Sequence, residues 1–359
     1  MKNSLNTISR LMLLAFSMFL LYSCAKDEDT PPVSTTDFSE GIFIVNEGLF
    51  PSGSGSVTWF KMDGSDRTPK LFEKSNNLLP LGNLAQSMTI INNDGFIVVN
   101  NANIIRAVSL KTFQQKGAIE GINLPRFIVN TGDGNAWVSS WDNKVFVFDP
   151  EALTVQGEVS TGTGPEKMMK VGEALWVLNQ GGYSIDSTIT IIDINARQVS
   201  QTVMVYPKPT GIQVDENGNV WVMCSGHGWN GWPASGDSRG HLVCIDPSDY
   251  SILVDLEFPE TDQHPEKLEI NAGGDELFYI YPGGIYKQSI ASANLELAKI
   301  MNHANGFYSL DFDSKNDVIY ATDAGDFQQD GWVYRFQTTG TLIDSLQAGV
   351  GPTDVCIGN

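Results

Sequence analysis

Basic side chains are scarce in this 359-residue chain: 22 Lys and Arg face 42 Asp and Glu, for a net charge of −20 at pH 7. That balance excludes nucleic acid as a partner, because holding a phosphate backbone needs a basic face. Charged residues of both signs reach only 18%, too few for surface helices laced with Lys and Glu, and no helical period recurs after the amino terminus. Histidines are few and dispersed. His227, His241, His264 and His303 stand singly and read as structural or solvated side chains, not as metal ligands. No His-Glu-x-x-His, Gly-x-Ser-x-Gly or Gly-Lys phosphate-loop pair occurs, so catalytic, metal and cofactor signatures are lacking. Gly226 to Gly231 matches the dinucleotide pattern formally, but another strand follows where pyrophosphate needs a helix N-terminus. Asp215 to Asn219 lacks the spacing and terminal Glu of a calcium loop, and an Asn-Gly hairpin accounts for it. At 42% apolar the chain is too hydrophobic to be disordered, and it is too long for a minimal disulfide knot.

What is present begins with an export address. Lys2 and Arg10 precede an apolar run, Leu11 to Leu21, which suits a signal-peptide core and is too short to span a bilayer as a helix. Leu21-Tyr22-Ser23-Cys24 resembles the bacterial lipobox, which implies removal of residues 1–23 and acylation of Cys24. Loss of Lys2 and Arg10 with that leader leaves 20 basic against 42 acidic residues, a charge of −22. Cys24-Ala25-Lys26-Asp27-Glu28-Asp29 is similar to the acidic, lysine-led export signal of Bacteroidetes surface lipoproteins. That similarity implies an outer-membrane lipoprotein facing the cell surface, held to the membrane by its lipid alone; a solvated acidic spacer is the alternative. Residues 24–39 contain too little apolar surface to fold and are expected to form a flexible tether reaching up to about 50 Å.

From residue 40 to 359 the chain repeats itself. The dipeptides Gln86-Ser87, Pro125-Arg126, Pro165-Glu166, Pro209-Thr210, Pro265-Glu266, Gly306-Phe307 and Pro352-Thr353 recur every 39 to 56 residues. Each opens a short apolar strand, a Gly or Asp turn, an aromatic-rich second strand, a variable loop and a third strand often ending in Asp. Trp137, Trp176, Trp221 and Phe278 share one register, 11 to 13 residues after the opening proline, as expected of aromatics packed between sheets. Four-stranded antiparallel sheets at this period predict an all-β, seven-bladed propeller in one domain. The last segment, Asp354 to Ile357, is a first strand without successors, and Ile42 to Val45 is a second strand without a predecessor. Pairing of the two termini is therefore expected to close the ring.

The opening Pro-x-x, the second-strand Trp-Val and the third-strand Val-x-x-x-Asp, as in Val145 to Asp149, resemble the YncE-like seven-bladed propellers over residues 40–359. With the lipoprotein leader, the chain is similar to surface propeller lipoproteins of Bacteroidetes, some of which capture cobalamin for a TonB-dependent outer-membrane transporter. The resemblance implies nutrient capture with the corrinoid as cargo and not as cofactor, and it brings no binding residue with it.

Propellers bind at one mouth of the central channel, where second-to-third-strand loops meet the segments entering each first strand. The residues predicted there are Asn46, Glu47, Gln86, Asn101, Arg126, Trp141, Gln180, Tyr183, His227, Trp229, Trp232, Tyr281, Tyr308 and Asp323. Amides interleaved with aromatics suit a bulky neutral ligand such as a corrinoid or a glycan, since rings stack while Asn and Gln donate and accept. Trp229 and Trp232, in the longest loop, either touch that ligand or staple their own loop. Cys224 and Cys244, in neighbouring strands of the fifth repeat, are either a disulfide or two buried thiols. Two other functions compete with capture: a lactonase- or lyase-type enzyme drawing on Glu47, Glu166, Glu266 and Asp354, and a protein-binding scaffold.

Overall fold

A computed structural model describes residues 36–51, 53–230, 232–303 and 306–358. The leader, the lipidation site Cys24 and most of the expected tether lie outside them. Among the described residues, seven four-stranded antiparallel sheets follow one another, with one short α-helix, Leu71–Ser75, after the first. Blade 1 combines Ile42–Asn46, Ser56–Phe60 and Arg67–Thr68 with the carboxy-terminal strand Pro352–Ile357. Blades 2 to 7 open with the inner strands Ala85–Ile91, Pro125–Asn130, Pro165–Val171, Pro209–Val214, Glu266–Ile270 and Ser309–Asp313. The predicted all-β, seven-bladed propeller is thus the fold, and its closure is the expected one: Ile42 faces Ile357, Phe43 faces Cys356 and Ile44 faces Val355.

Seven apolar cores hold the ring, one between each pair of adjacent blades. Trp137 packs with Leu175 and Val177 of the next blade, Trp176 with Val220 and Val222, Trp221 with Leu277 and Tyr279, and Phe278 with Ile319 and Ala321. The shared register of these aromatics therefore means that each blade presents its ring to its successor. Strand alternation sends the intervening residues the other way, so a sheet buried on both faces needs an almost continuous apolar second strand. Val220 to Cys224 is buried throughout.

Cys224 and Cys244 are free buried thiols on opposite faces of blade 5: one belongs to the core shared with blade 4, the other to that shared with blade 6. Burial pushes both thiols up to about 12, which keeps them protonated and inert. Packing also begins earlier than the sequence suggests. Phe38, assigned to the tether, is buried edge-on against Trp59, whose Nε1 donates to the Phe38 carbonyl at 3.2 Å.

Candidate functional site

The inner strands of blades 2 to 6 share an irregularity that shapes the channel mouth. Their pairing register slips near the second and third residues, at Ala85/Ser87, Pro125/Ile128, Pro165/Met168, Pro209/Gly211 and Glu266/Leu268. A bulge suspends the two-residue alternation of a strand, so successive side chains reach the same end of the channel. Arg126 with Phe127, Glu166 with Lys167, and Glu266 with Lys267 accordingly line one cavity of about 240 Å³, with Trp141, Gln180, Gly182, Lys208, Thr210, Ser225 and Trp229 around them.

The centre of this mouth is a locked cluster. Arg126 grips Glu166 with two bonds, Nε to Oε2 at 2.9 Å and Nη2 to Oε1 at 2.6 Å, and Trp141 Nε1 donates to the same Oε2 at 2.7 Å. The guanidinium lies 4.2 Å from the Trp141 ring centroid. Tyr183 meets the indole edge-on at 5.1 Å and is itself 86% exposed. Gly182 has φ +59, a left-handed conformation glycine adopts readily, and there the loop passes within ordinary contact of the Trp141 ring. Farther round, Lys208 Nζ sits 4.0 Å from the Trp229 ring, and Trp229 and Trp232 are 67% and 80% exposed.

On the opposite arc, Tyr308 donates to Glu47 Oε1 at 2.8 Å and meets Phe327 edge-on. Burial pushes the Glu47 carboxyl above the usual carboxylate range, and the Tyr308 hydrogen bond only partly offsets that. Deeper in the channel, Lys167 is flanked by Asp311, Asp354 and Glu269. Burial opposes its charge, but those carboxylates and Glu166 together hold the ammonium above its ordinary value. Burial in turn raises all three carboxyls, Glu269 to about 7, although Lys167 counters it. Beyond Lys167 the channel widens into a second cavity of about 370 Å³ at the other end.

Of the predicted residues, the mouth brings together Arg126, Trp141, Gln180, Tyr183 and Trp229, with Glu47 and Tyr308 on the facing arc and Trp232 exposed on the same loop as Trp229. Gln86 is buried at the matching position of blade 2. The others turn away from this mouth or bond within their own loops. Asn46 is fully buried, and its amide donates to Ser56 and Thr58 and accepts from the Gly349 N–H, because the end of a second strand must satisfy its neighbours. Asn101 is exposed and bonds Asn83. Tyr281 is buried against Phe258 and Tyr286. The Asp323 carboxylate is occupied by His303 Nε2 at 2.7 Å and the Gly325 N–H, and His227 turns toward Asp237 within its own loop. Asp215 accepts from the Asn217 and Asn219 N–H groups and from Trp221 Nε1, as a hairpin requires.

Sequence reasoning passed over Lys208, which precedes an opening proline. Its signal was the register itself: Leu84, Leu124, Gly164, Lys208 and Gly351 all precede an inner strand and all have φ between +44 and +63.

Solved structures of similar shape include a quinonprotein alcohol dehydrogenase-like protein of Bacteroides thetaiotaomicron VPI-5482, with TM-score 0.67, 12% identity and coverage of 90% of this chain and 80% of that one. Kuenenia stuttgartiensis hydrazine synthase aligns with TM-score 0.60 and 13% identity over 76% and 89%. The computationally designed Ika8 protein aligns with TM-score 0.59 and 11% identity over 90% and 94%. At such identities the likeness is one of fold. No curated protein matches the chain. The family described as Domain of unknown function (DUF5074) matches residues 40–350, and the chain belongs to that family.

Proposed function

We propose that the protein is an exported, lipid-anchored binding protein of the cell surface that captures a bulky nutrient at the aromatic mouth of its channel, a corrinoid such as cobalamin being the favoured cargo, for delivery to a TonB-dependent transporter. The observation that carries this reading is the rim: Tyr183, Trp229 and Trp232 are large, mostly exposed rings on neighbouring loops, with Trp229 lining the cavity and Tyr183 packed on Trp141, the indole that Glu166 aims. Soluble proteins seldom leave such surface uncovered without a use for it. A cavity of about 240 Å³ is too small for a whole corrinoid or oligosaccharide. It suits a projecting group, while the bulk of the ligand lies flat on the rim.

Lys208 and Lys267 at the same mouth modify the expectation of a wholly neutral ligand, because they favour one anionic group among amide or hydroxyl edges. Catalysis is the weaker reading. Glu166 is committed to Arg126 and Trp141, and Asp354 accepts the Met88 N–H well below the mouth. Isothermal titration of the mature chain against cobalamin, cobinamide and an oligosaccharide panel tests the proposal. Binding of cobalamin that weakens at least tenfold in Trp141→Ala supports it, and no binding to any of the panel overturns it.

A further inference from the structure

Three buried polar atoms without a hydrogen-bond partner gather where the long loop of blade 5 meets the segment before blade 6: Nδ1 of His227 and Oδ1 of Asp237 from the loop, and Nε2 of His264 from that segment. A buried polar atom left unpaired costs roughly 1–3 kcal/mol, and native folds keep few of them. Three meeting at one junction therefore call for an occupant. His227 Nδ1 lies 3.8 Å from Asp237 Oδ1. A Cβ on Gly228 would fall 2.4 Å from His264 Nε2 and 2.7 Å from Asp237 Cγ, so both groups converge on the space that glycine leaves open.

The other atoms of these side chains are already tied down. His264 Nδ1 faces the Ser225 carbonyl at 2.9 Å; the ring therefore carries its proton there and presents a lone pair at Nε2. Asp237 Oδ2 accepts the Ala234 N–H at 2.8 Å. The Asn230 amide bonds both the carbonyl and the N–H of His264, at 2.9 and 2.7 Å, joining the loop to the segment before blade 6. Asp237 is 5% and His264 1% exposed.

We infer that His227, Asp237 and His264 bind one divalent transition-metal ion of the zinc class, and that filling this site fixes the loop that carries Trp229 and Trp232. Two imidazole nitrogens and one carboxylate oxygen are a donor set zinc accepts, with a fourth position left for water. Among the described residues no such trio stands at ligating geometry beforehand. Tetrahedral ligands at about 2.0–2.1 Å stand about 3.3 Å apart, so binding draws His227 toward Asp237 from 3.8 Å.

The test needs no ligand at the mouth, and its outcome is therefore separate from that of the capture reading. The mature chain, stripped with chelator, is titrated with zinc chloride by calorimetry and with cobalt(II) by visible absorption. The expected result is one ion per chain, a tetrahedral cobalt spectrum and a higher melting temperature with zinc. His264→Gln and His227→Ala should each weaken binding at least tenfold and abolish that spectrum. His227 is the half-exposed member of the trio, so its variant folds even where the buried one does not. No stoichiometric binding by the unmodified chain, or binding unchanged in His227→Ala, overturns the inference.

Discussion

Replacing Glu166 by Ala tests whether the mouth is held by a desolvated ion pair. The carboxylate accepts three hydrogen bonds, two from Arg126 and one from the Trp141 indole, and the side chains of the pair are only 11% and 8% exposed. Its loss strands a guanidinium and an indole N–H together. Breaking a buried pair from one side costs about 3–5 kcal/mol, against no more than about 1 for a surface pair. The pair lines the mouth cavity and keeps a little exposure, which places the expected loss near the low end, about 3 kcal/mol. At roughly 2 °C per kcal/mol for a chain of this size, the melting temperature followed by circular dichroism should fall by about 6 °C. The double variant Arg126→Met with Glu166→Ala removes the stranded charge as well and should recover more than about 1 kcal/mol of the loss. If Glu166→Ala melts within about 1 °C of the parent and the double variant is no better, Arg126 is solvated and the locked-cluster account of the mouth is wrong.

Deleting residues 352–359 removes the strand that faces Ile42 to Asn46 and should open the ring, with a fall in melting temperature larger than for any single substitution above; a cooperative transition at the parental temperature would reject closure by the termini. The double variant Trp229→Ala and Trp232→Ala should weaken cobalamin binding at least tenfold with little change in melting temperature, whereas unaltered affinity with a marked loss of stability would assign both rings to the loop. Burial raises Glu269 to about 7 from 4.5, so the folded state holds the proton more tightly and stability falls as pH rises between those values. Glu269→Gln should therefore be the more stable protein at pH 8, by at most about 3 kcal/mol, with no advantage below pH 4.5, as read from urea unfolding across that range. Changing Cys24 to Ala should release the protein from membranes, which fractionation would show.

The fold was legible because each blade solves the same packing problem. An aromatic on every second strand must reach the next sheet, so Trp137, Trp176, Trp221 and Phe278 recur 11 to 13 residues after each opening proline whatever the later loops do. The closure was legible for a related reason: an unpaired strand at each end of a repeating chain has one economical partner. The site was less so. Position near the end of a second strand does not say which way a side chain turns, and Asn46, Tyr281 and Asp323 all turn into their blades, where buried neighbours need them.

Bulges explain both what was found and what was missed at the mouth. Strict alternation would send Glu166 and Lys167, or Glu266 and Lys267, to opposite sides, yet the register slips bring both members of each couple into one cavity. The same local geometry begins one residue earlier, where left-handed backbone at Lys208 precedes Pro209. Non-glycine residues seldom adopt that conformation, so a lysine holding it immediately before an inner strand is constrained by the surrounding fold. Its Nζ donates to the Gly228 carbonyl at 3.1 Å while lying over Trp229. Lys208 thus joins the inner strand of blade 5 to the loop bearing the exposed tryptophans. Replacing it with Met, which keeps the stem and drops the charge and the donor, should loosen Trp229 and weaken capture without disturbing the blades. Unchanged tryptophan fluorescence anisotropy and unchanged affinity in that variant would show that the loop is held by other contacts.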